Sequence, residues 1–293
     1  MPRTTPRAPE LGSLEDALLA LVAGTTELPA SELTRVVNLA GKVLGAERAR
    51  LLIADYALVG LQQLGEVGPT GDPQAIEGTL AGRAFSRDEV VVSGSEPTLV
   101  YVPVSEGSER LGVLELSFDG WTDDVLDLLD PVARVLVLVL VSKRRYTDAV
   151  LRARRTEPLS IAAELQWDLL PPLTCSTERA SVSGILEPAY SIGGDSFDFA
   201  MNQDRVEFAI VDAVGHGMAS VMMSVAAINS LRNARRERIG LPAAYESTGE
   251  VIGTQFGPEC FVTAQLGSLA LGSGELTWLN AGHPLPLLVR DGS

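Results

Sequence analysis

Two aspartates in glycine-rich surroundings are the residues of this 293-residue chain best placed to do chemistry. Asp195 follows two glycines, and Asp212 opens the segment Asp-Ala-Val-Gly-His-Gly. Between them, residues 206–211 predict a buried strand, so a hairpin would bring both carboxylates to one point. Oxygen ligands of this kind suit Mg²⁺ and Mn²⁺, which usually retain several waters. The pattern predicts a metal site in which Asp195 and Asp212 are the catalytic residues.

Three other interpretations of these glycines and aspartates deserve comparison. Gly193-Gly194-Asp195 also suits a tight turn, because glycine and aspartate favour turns. The string Gly-Gly-Asp-Ser-Phe is one residue from the GGDEF signature of diguanylate cyclases, but Asp-x-x-Gly-His-Gly before a predicted helix over 218–232 belongs to a different pattern. A phosphate-binding P-loop requires a lysine, and none occurs within 212–232.

The histidines and hydroxyl side chains nearby predict supporting roles. His216 lies between glycines at a helix start, beside the predicted metal site. The less favoured interpretation is that His216 binds the metal. His283 follows a predicted strand and precedes a proline, which favours a turn-stabilising hydrogen bond over proton transfer. The two have no HxxxH spacing of a zinc site. Ser220, Ser224 and Thr263 have no recognisable histidine partner in the sequence, so we do not expect them to act as nucleophiles.

Composition narrows the functional classes. With 38 acidic and 23 basic residues, the formal charge is −15, which disfavours nucleic acid and anionic lipid and favours a divalent cation or a basic partner. Cys175 and Cys260 form no metal-binding or disulfide pattern. The longest apolar run, 135–141, is far shorter than the roughly 18 residues of a membrane span. We therefore expect a soluble cytoplasmic protein without nucleic-acid or membrane binding.

The length predicts two domains. Residues 1–12 are Pro-rich and predicted to be disordered, and 13–145 predict an α+β sensor domain. Its first helix would be capped by Ser13, with Leu14, Leu18, Leu21 and Val22 on one face, and its second helix would cover 32–44. A five-stranded antiparallel sheet would follow, with strands over 49–57, 58–65, 89–92, 99–104 and 111–118.

A helical linker is predicted over 122–155, overlapping the end of the sensor domain. Its apolar centre, 135–141, is costly to leave in water, so we expect a homodimer through this helix. Pro131 predicts a kink or a late helix start. The basic residues that follow suit either a solvated face or a dimeric signalling helix. Ser160 can cap a further helix that ends at Pro171-Pro172, which puts the domain boundary near residue 156.

The first domain resembles the GAF family of sensor domains. The residues that carry the resemblance are Ile76-Glu-Gly-Thr-Leu-Ala-Gly-Arg-Ala-Phe85, Tyr101-Val-Pro-Val104 and Leu111-Gly-Val-Leu-Glu-Leu116. Such a domain implies a small-molecule ligand or a purely structural role. Residues 13–145 contain no Cys or His, which argues against haem or metal sensing there.

The second domain, 156–293, resembles the SpoIIE (RsbU-like) branch of the metal-dependent PPM protein phosphatases. The matching motifs are Glu164-Leu-Gln-Trp-Asp-Leu-Leu-Pro171, Glu187-Pro-Ala189, Gly193-Gly-Asp-Ser-Phe-Asp198, Asp212 to Gly217, Phe261-Val-Thr-Ala264 and Asn280-Ala-Gly-His-Pro284. The resemblance implies an α/β/β/α sandwich. Asp212 would then bridge two Mn²⁺ or Mg²⁺ ions, Ala213 would offer its backbone carbonyl, and Asp195 would help to hold the metals.

The resemblance also implies a substrate, a phosphorylated STAS anti-anti-sigma protein. Ala213-Val214 stands where relatives commonly have Val-Ser, but a carbonyl ligand needs no particular side chain. Family members continue with further aspartates that complete the site, whereas this sequence stops at Ser293 and Asp291 belongs to an Asp-Gly turn signal. We therefore expect a partial sandwich, weak metal binding and little activity. A non-catalytic docking protein with a ligand-binding GAF domain is the alternative.

Overall fold

The computed structural model describes residues 18–19, 21–23, 29, 32–94, 96–190 and 193–290. The chain divides into two compact units, Met1–Thr156 and Glu157–Ser293. No helix in the described parts of the chain is both long and apolar enough to cross a bilayer.

From residue 32 onward, the described residues of the N-terminal unit form a six-stranded antiparallel sheet and four α-helices. Its strand order is β3-β2-β1-β6-β5-β4. The strands are β1 Arg48–Ala54, β2 Gly60–Leu64, β3 Pro69–Ala75, β4 Val91–Val92, β5 Thr98–Glu106 and β6 Glu109–Phe118. The helices are α1 Leu33–Val43, α2 Leu80–Arg87, α3 Leu126–Lys143 and α4 Ala149–Ala153. Helices α1, α3 and α4 bury one face of the sheet, and α2 covers the other.

Strand β3 has no strand pattern in its sequence, so the sheet has six strands where the sequence predicts five. The strand is almost wholly exposed and contains two prolines and a glycine, so it lacks the alternating apolar pattern of a half-buried strand. It lies at the edge of the sheet, where a proline can be accommodated because one side of the strand needs no hydrogen bonds. The other five predicted strands are present with shifted ends.

Helix α3 belongs to the core of the N-terminal unit. Its buried residues share one face: Leu129, Val132, Ala133, Leu136, Val137 and Leu140. They pack with residues of α1, β5 and β6 in one cluster. The argument that the apolar linker centre must seek a partner helix is therefore wrong, although Leu138 is exposed. The homodimer stays a prediction without that support.

The first predicted helix falls largely outside the described residues, as do the proposed disordered segment 1–12 and the cap at Ser13. Residues 18–19 and 21–23 are helical. Leu21 is buried, as its predicted apolar face requires, whereas Val22 is exposed.

The C-terminal unit contains a four-stranded antiparallel sheet in the order β12-β11-β10-β9. These strands are β9 Asp195–Met201, β10 Arg205–Ala213, β11 Val262–Ala270 and β12 Leu276–Ala281, and β7 Thr174–Ser176 pairs with β8 Ser181–Ser183. The helices in the described part of this unit are α5 Ile161–Leu169, α6 Met218–Arg236 and α7 Leu241–Phe256. The predicted cap of α5 is confirmed, because the Ser160 hydroxyl accepts a hydrogen bond from the Ala163 N–H.

The α+β class is confirmed for both units. In the C-terminal unit, the described residues form the four-stranded sheet, with α6 and α7 packed on one of its faces, and the separate β7–β8 pair. The apolar segment 285–289, which the sequence alone predicts as a strand, forms none, since residues 284–290 have no regular structure. Leu285 and Leu287 are exposed there, and the last described pairing before them is the bridge between Ala264 and Gly282. Without a neighbouring strand, an apolar sequence alone does not make this segment a strand.

The close packing of α2 on the chain that precedes it gives a stability prediction. A Cβ at Gly82 would lie 1.7 Å from the Ile76 carbonyl oxygen, whereas a Cβ at Gly94 would meet open space. Because the clash is with backbone, we expect Gly82→Ala to lower the free energy of unfolding by about 1–3 kcal/mol. The loss of stability is measured by urea denaturation monitored by circular dichroism, with Gly94→Ala as the matched control. Equal stability of the two variants would contradict this packing.

Candidate active site

The β9–β10 hairpin places the two candidate aspartates directly opposite each other. Asp195 begins β9 and is the register partner of Asp212 near the end of β10. On the other side of β10, Asp212 is the partner of Thr263 in β11. Alternate residues of these strands, including Val211 and Ala264, pack against the helices. The three polar residues therefore lie in a row on the opposite face of the sheet.

The backbone around this row is closely packed. The Gly194 carbonyl accepts hydrogen bonds from the Ala213 N–H and from the Ser224 hydroxyl of α6. A Cβ at Gly194 would come within 2.4 Å of the Ala213 carbonyl oxygen, so only glycine fits there. The side chain of Ala213 packs in the core, which leaves its backbone as its possible contribution to a metal site. Ser224 has the structural role that its sequence context indicated.

The two carboxylates interact unfavourably when both are charged. Loss of solvation raises the pKa of Asp195, and the neighbouring charge of Asp212 and a hydrogen bond with it raise the pKa further. His283 opposes this shift, because a positive imidazolium nearby favours the carboxylate. A shared proton or a bound cation would relieve the repulsion between the aspartates.

His283 is the residue that sequence reasoning failed to bring to the site. Its predicted turn contacts are present: its N–H donates to Asn280 Oδ1, and its carbonyl accepts from Asn280 Nδ2, both at 2.9 Å. In addition, its Nδ1 lies 2.9 Å from the Thr263 hydroxyl, beside the aspartate row. The signal was the Asn280-x-x-His283 spacing at the end of β12, but the pairing of β12 with β11 was needed to place it.

Two other motif residues, Asp198 and His216, are not part of the aspartate row. Asp198 is buried and binds Arg232 and Arg235 of α6, with its carboxylate oxygens 2.7 and 2.8 Å from their guanidinium nitrogens. It lies an odd number of residues from Asp195, so it faces the helices and fixes α6 to β9. His216 is exposed between Gly215 and Gly217, whose φ angles of +92° and +76° require glycine in this loop.

The donor set fits a single hydrated divalent cation. Asp195, Asp212 and the Ala213 carbonyl offer only oxygen, which is what Mg²⁺ and Mn²⁺ prefer, and water can fill the remaining positions. Among residues 32–94, 96–190 and 193–290 and the few described before them, no three His, Cys, Asp or Glu side chains are grouped to hold a metal. The described residues therefore do not complete a two-metal site.

A cavity of about 660 Å³ adjoins the aspartate row, with Asp195 and His283 on its wall. Much of its lining is apolar, including Phe197, Phe208 and Ile210. The Phe197 ring lies against Gly184, where a Cβ would come within 2.3 Å of it. Space for an apolar group therefore exists beside the Asp195 carboxylate.

Comparison with known proteins places this geometry in context. Residues 202–293 match the family model for Stage II sporulation protein E (SpoIIE). This part of the C-terminal unit is similar to SpoIIE. The chain is 20% identical over 172 residues to the phosphoserine phosphatase RsbU of Bacillus subtilis (strain 168), covering 58% of this chain and 51% of that protein. It thus spans about half the length of this curated relative.

Among solved structures, the chain is similar to GAF domains. One is from an Acinetobacter phosphoenolpyruvate-protein phosphotransferase, with 16% identity, a TM-score of 0.39 and coverage of 45% of this chain and 95% of that one. Another is from the Coxiella burnetii ptsP protein, with 14% identity, a TM-score of 0.40 and coverage of 46% and 97%. PelD of Pseudomonas aeruginosa PAO1 covers 93% of both chains, at 15% identity and a TM-score of 0.26.

The raised pKa of Asp195 predicts a stability effect with a definite sign. In metal-free protein its charged form is disfavoured by folding, so stability falls as the pH rises from the ordinary value near 3.8 through the raised pKa. Asp195→Asn removes that charge but retains the hydrogen-bonding shape. We expect the variant to melt at a higher temperature than wild type in EDTA at about pH 7.

The advantage of Asp195→Asn should shrink as the pH falls below the ordinary value, where the wild-type carboxyl is neutral as well. Glu259→Gln, at an exposed carboxylate in the loop before β11, controls for the change in net charge. A variant that melts below wild type at neutral pH would contradict the conclusion that folding disfavours the charged form of Asp195.

Proposed function

We propose that the chain is a metal-dependent serine/threonine protein phosphatase under the control of a GAF sensor domain. The observation that carries the proposal is the direct pairing of Asp195 with Asp212 at the end of a hairpin, on the sheet face away from the helices. The similarity of residues 202–293 to SpoIIE, and of the chain to a phosphoserine phosphatase, supports the same reaction class.

In this proposal, Asp195, Asp212 and the Ala213 carbonyl hold Mn²⁺ or Mg²⁺. Bound divalent cations supply charge neutralisation for a phosphate ester and lower the pKa of water. The protein contributes the position of the ligands: β-pairing fixes the two carboxylates, and the Ser224 hydroxyl fixes the Gly194 carbonyl next to them. The adjoining cavity would receive an apolar side chain near the phosphorylated residue of the substrate.

The proposed substrate is a phosphorylated STAS anti-anti-sigma protein, and its dephosphorylation would regulate a sigma factor. Any ligand of the N-terminal unit would be a small molecule. We do not expect this unit to hold haem or a metal ion, because residues 13–145 lack Cys and His. A homodimer and a cytoplasmic location complete the proposal. Metal binding should be weak, because the described residues provide only two carboxylates for it.

A second candidate is a regulatory protein that docks a phosphoprotein without hydrolysing it. The specific observation in its favour is the lack of a third grouped metal ligand in the described parts of the chain. The two candidates differ in one measurable respect, since only a phosphatase releases phosphate in response to a divalent cation.

The decisive variant for this proposal is Asp212→Asn. It halves the carboxylate charge available to a cation at the aspartate row, so Mn²⁺-dependent phosphate release from a phosphoserine peptide should fall by more than about 100-fold. This expectation exceeds the roughly 10–100-fold losses that follow when a residue merely orients a metal ligand. Release of phosphate is measured at saturating Mn²⁺, with Glu259→Gln as the charge-matched control.

Near wild-type turnover by Asp212→Asn, or turnover that persists in EDTA, would contradict the assignment. Binding of the phosphopeptide by wild type with no release of phosphate at any Mn²⁺ concentration would favour the docking protein.

A further inference from the structure

A second pocket lies at the other end of the β9–β10 hairpin, away from the aspartates. Its volume is about 850 Å³, and it lies between the hairpin turn and the short connection from α6 to α7. Four arginines line it, and we call it the arginine pocket: Arg205, Arg235, Arg236 and Arg238. The seven residues of β9 span about 20 Å, so the pocket is separate from the candidate active site.

The arginine pocket carries excess positive charge in an acidic protein. Two carboxylates, Asp204 and Glu207, also line it, so its four guanidinium groups exceed its carboxylates by two. The whole chain has a formal charge of −15. Asp204 lies 3.2 Å from Arg205, but both side chains are exposed, and such a pair contributes little. The four arginines therefore form a local positive cluster in a chain whose net charge is strongly negative.

Two of these guanidinium groups have no protein partner in the described parts of the chain. No hydrogen bond or ion pair engages the side chains of Arg236 or Arg238 there. Arg235, in contrast, is held by the buried carboxylate of Asp198 at 2.8 Å. The pocket thus combines one pre-positioned arginine with two whose donors are available to a ligand.

The backbone of the α6–α7 connection adds donors and rigidity. Arg238 adopts a left-handed backbone conformation with φ +58°. Glycine is the usual residue in this conformation, so an arginine here is locally disfavoured. The Ile239 N–H binds the Ala234 carbonyl at 2.9 Å, which closes the end of α6. Helix α7 begins at the pocket, with no side-chain cap on Gly240 and no acidic residue in its first turn.

We propose that the arginine pocket binds an organic polyphosphate, a small molecule of the nucleoside di- or triphosphate class. Guanidinium groups bind phosphate oxygens in a bidentate manner. The first turn of α7 adds the N–H groups of Leu241 and Ala243, since Pro242 has none and the Ala244 N–H binds the Gly240 carbonyl. The volume lies within the range of small-molecule pockets and exceeds what one phosphate needs. Ile239 and Leu241 provide apolar wall for the organic part.

The test is calorimetric titration of the 293-residue protein with ATP in EDTA at low salt. Chelation of divalent cations removes any binding that a metal at Asp195 and Asp212 would mediate. Pyrophosphate and adenosine are titrated separately. We expect one ATP per chain, weaker binding of pyrophosphate and none of adenosine.

Variants then locate the site. Arg238→Gly removes a guanidinium but suits the left-handed backbone, so the fold should survive, which a thermal melt verifies. Arg238→Gly and Arg236→Ala should each weaken ATP binding about 10-fold or more, the usual effect of losing a charged hydrogen bond. Arg179→Ala, at an exposed arginine of the β7–β8 turn, is the control for net charge and should bind ATP like wild type.

Three results would overturn the proposal. The first is the absence of ATP binding to wild type under these conditions. The second is unchanged binding in both pocket variants while they remain folded. The third is an equal loss in Arg179→Ala, which would show attraction to net charge and no defined site.

Discussion

Electrostatic repulsion between Asp195 and Asp212 is the constraint around which the C-terminal unit is organised. The β9–β10 register holds the two carboxylates opposite each other, and loss of solvation together with the charge of Asp212 raises the pKa of Asp195. Such a pair is unfavourable in the absence of a proton or a cation. The helix-packed core under β10 and the ion pairs of Asp198 with α6 oppose the repulsion by fixing the hairpin. The packing and ion pairs elsewhere in the unit thus hold the two carboxylates together, and this arrangement favours a bound cation.

The two ends of the same hairpin have opposite electrostatic character. Its open end holds the carboxylate pair, and its turn contributes Arg205 to the arginine pocket. Helix α6 connects to both ends, since Ser224 supports the Gly194 carbonyl and Arg235 lines the pocket. Arg235 also binds Asp198, which lies in the strand that begins with Asp195. A polyphosphate and a divalent cation would therefore contact one continuous element of structure at two separate places.

The sequence predicted local features well where a short-range rule determines them. The Ser160 cap, the start of α6 at Met218 and the meeting of Asp195 with Asp212 follow from capping, glycine spacing and hairpin pairing. It failed where long-range packing decides. The apolar centre of α3 gave no indication that its partner was the sheet of its own unit, and His283 reaches Thr263 only through the β11–β12 pairing. Strand β3 had no apolar alternation to identify it.

Direct measurement of metal binding tests the central claim that Asp195 and Asp212 form a cation site. Titration calorimetry with Mn²⁺ on the wild-type chain should show weak binding that the Asp195→Asn and Asp212→Asn variants each abolish, while Glu259→Gln binds like wild type. The account predicts this loss because the described residues group no third acidic ligand with the pair to replace either aspartate. Mn²⁺ binding of equal strength in wild type and both aspartate variants would contradict it.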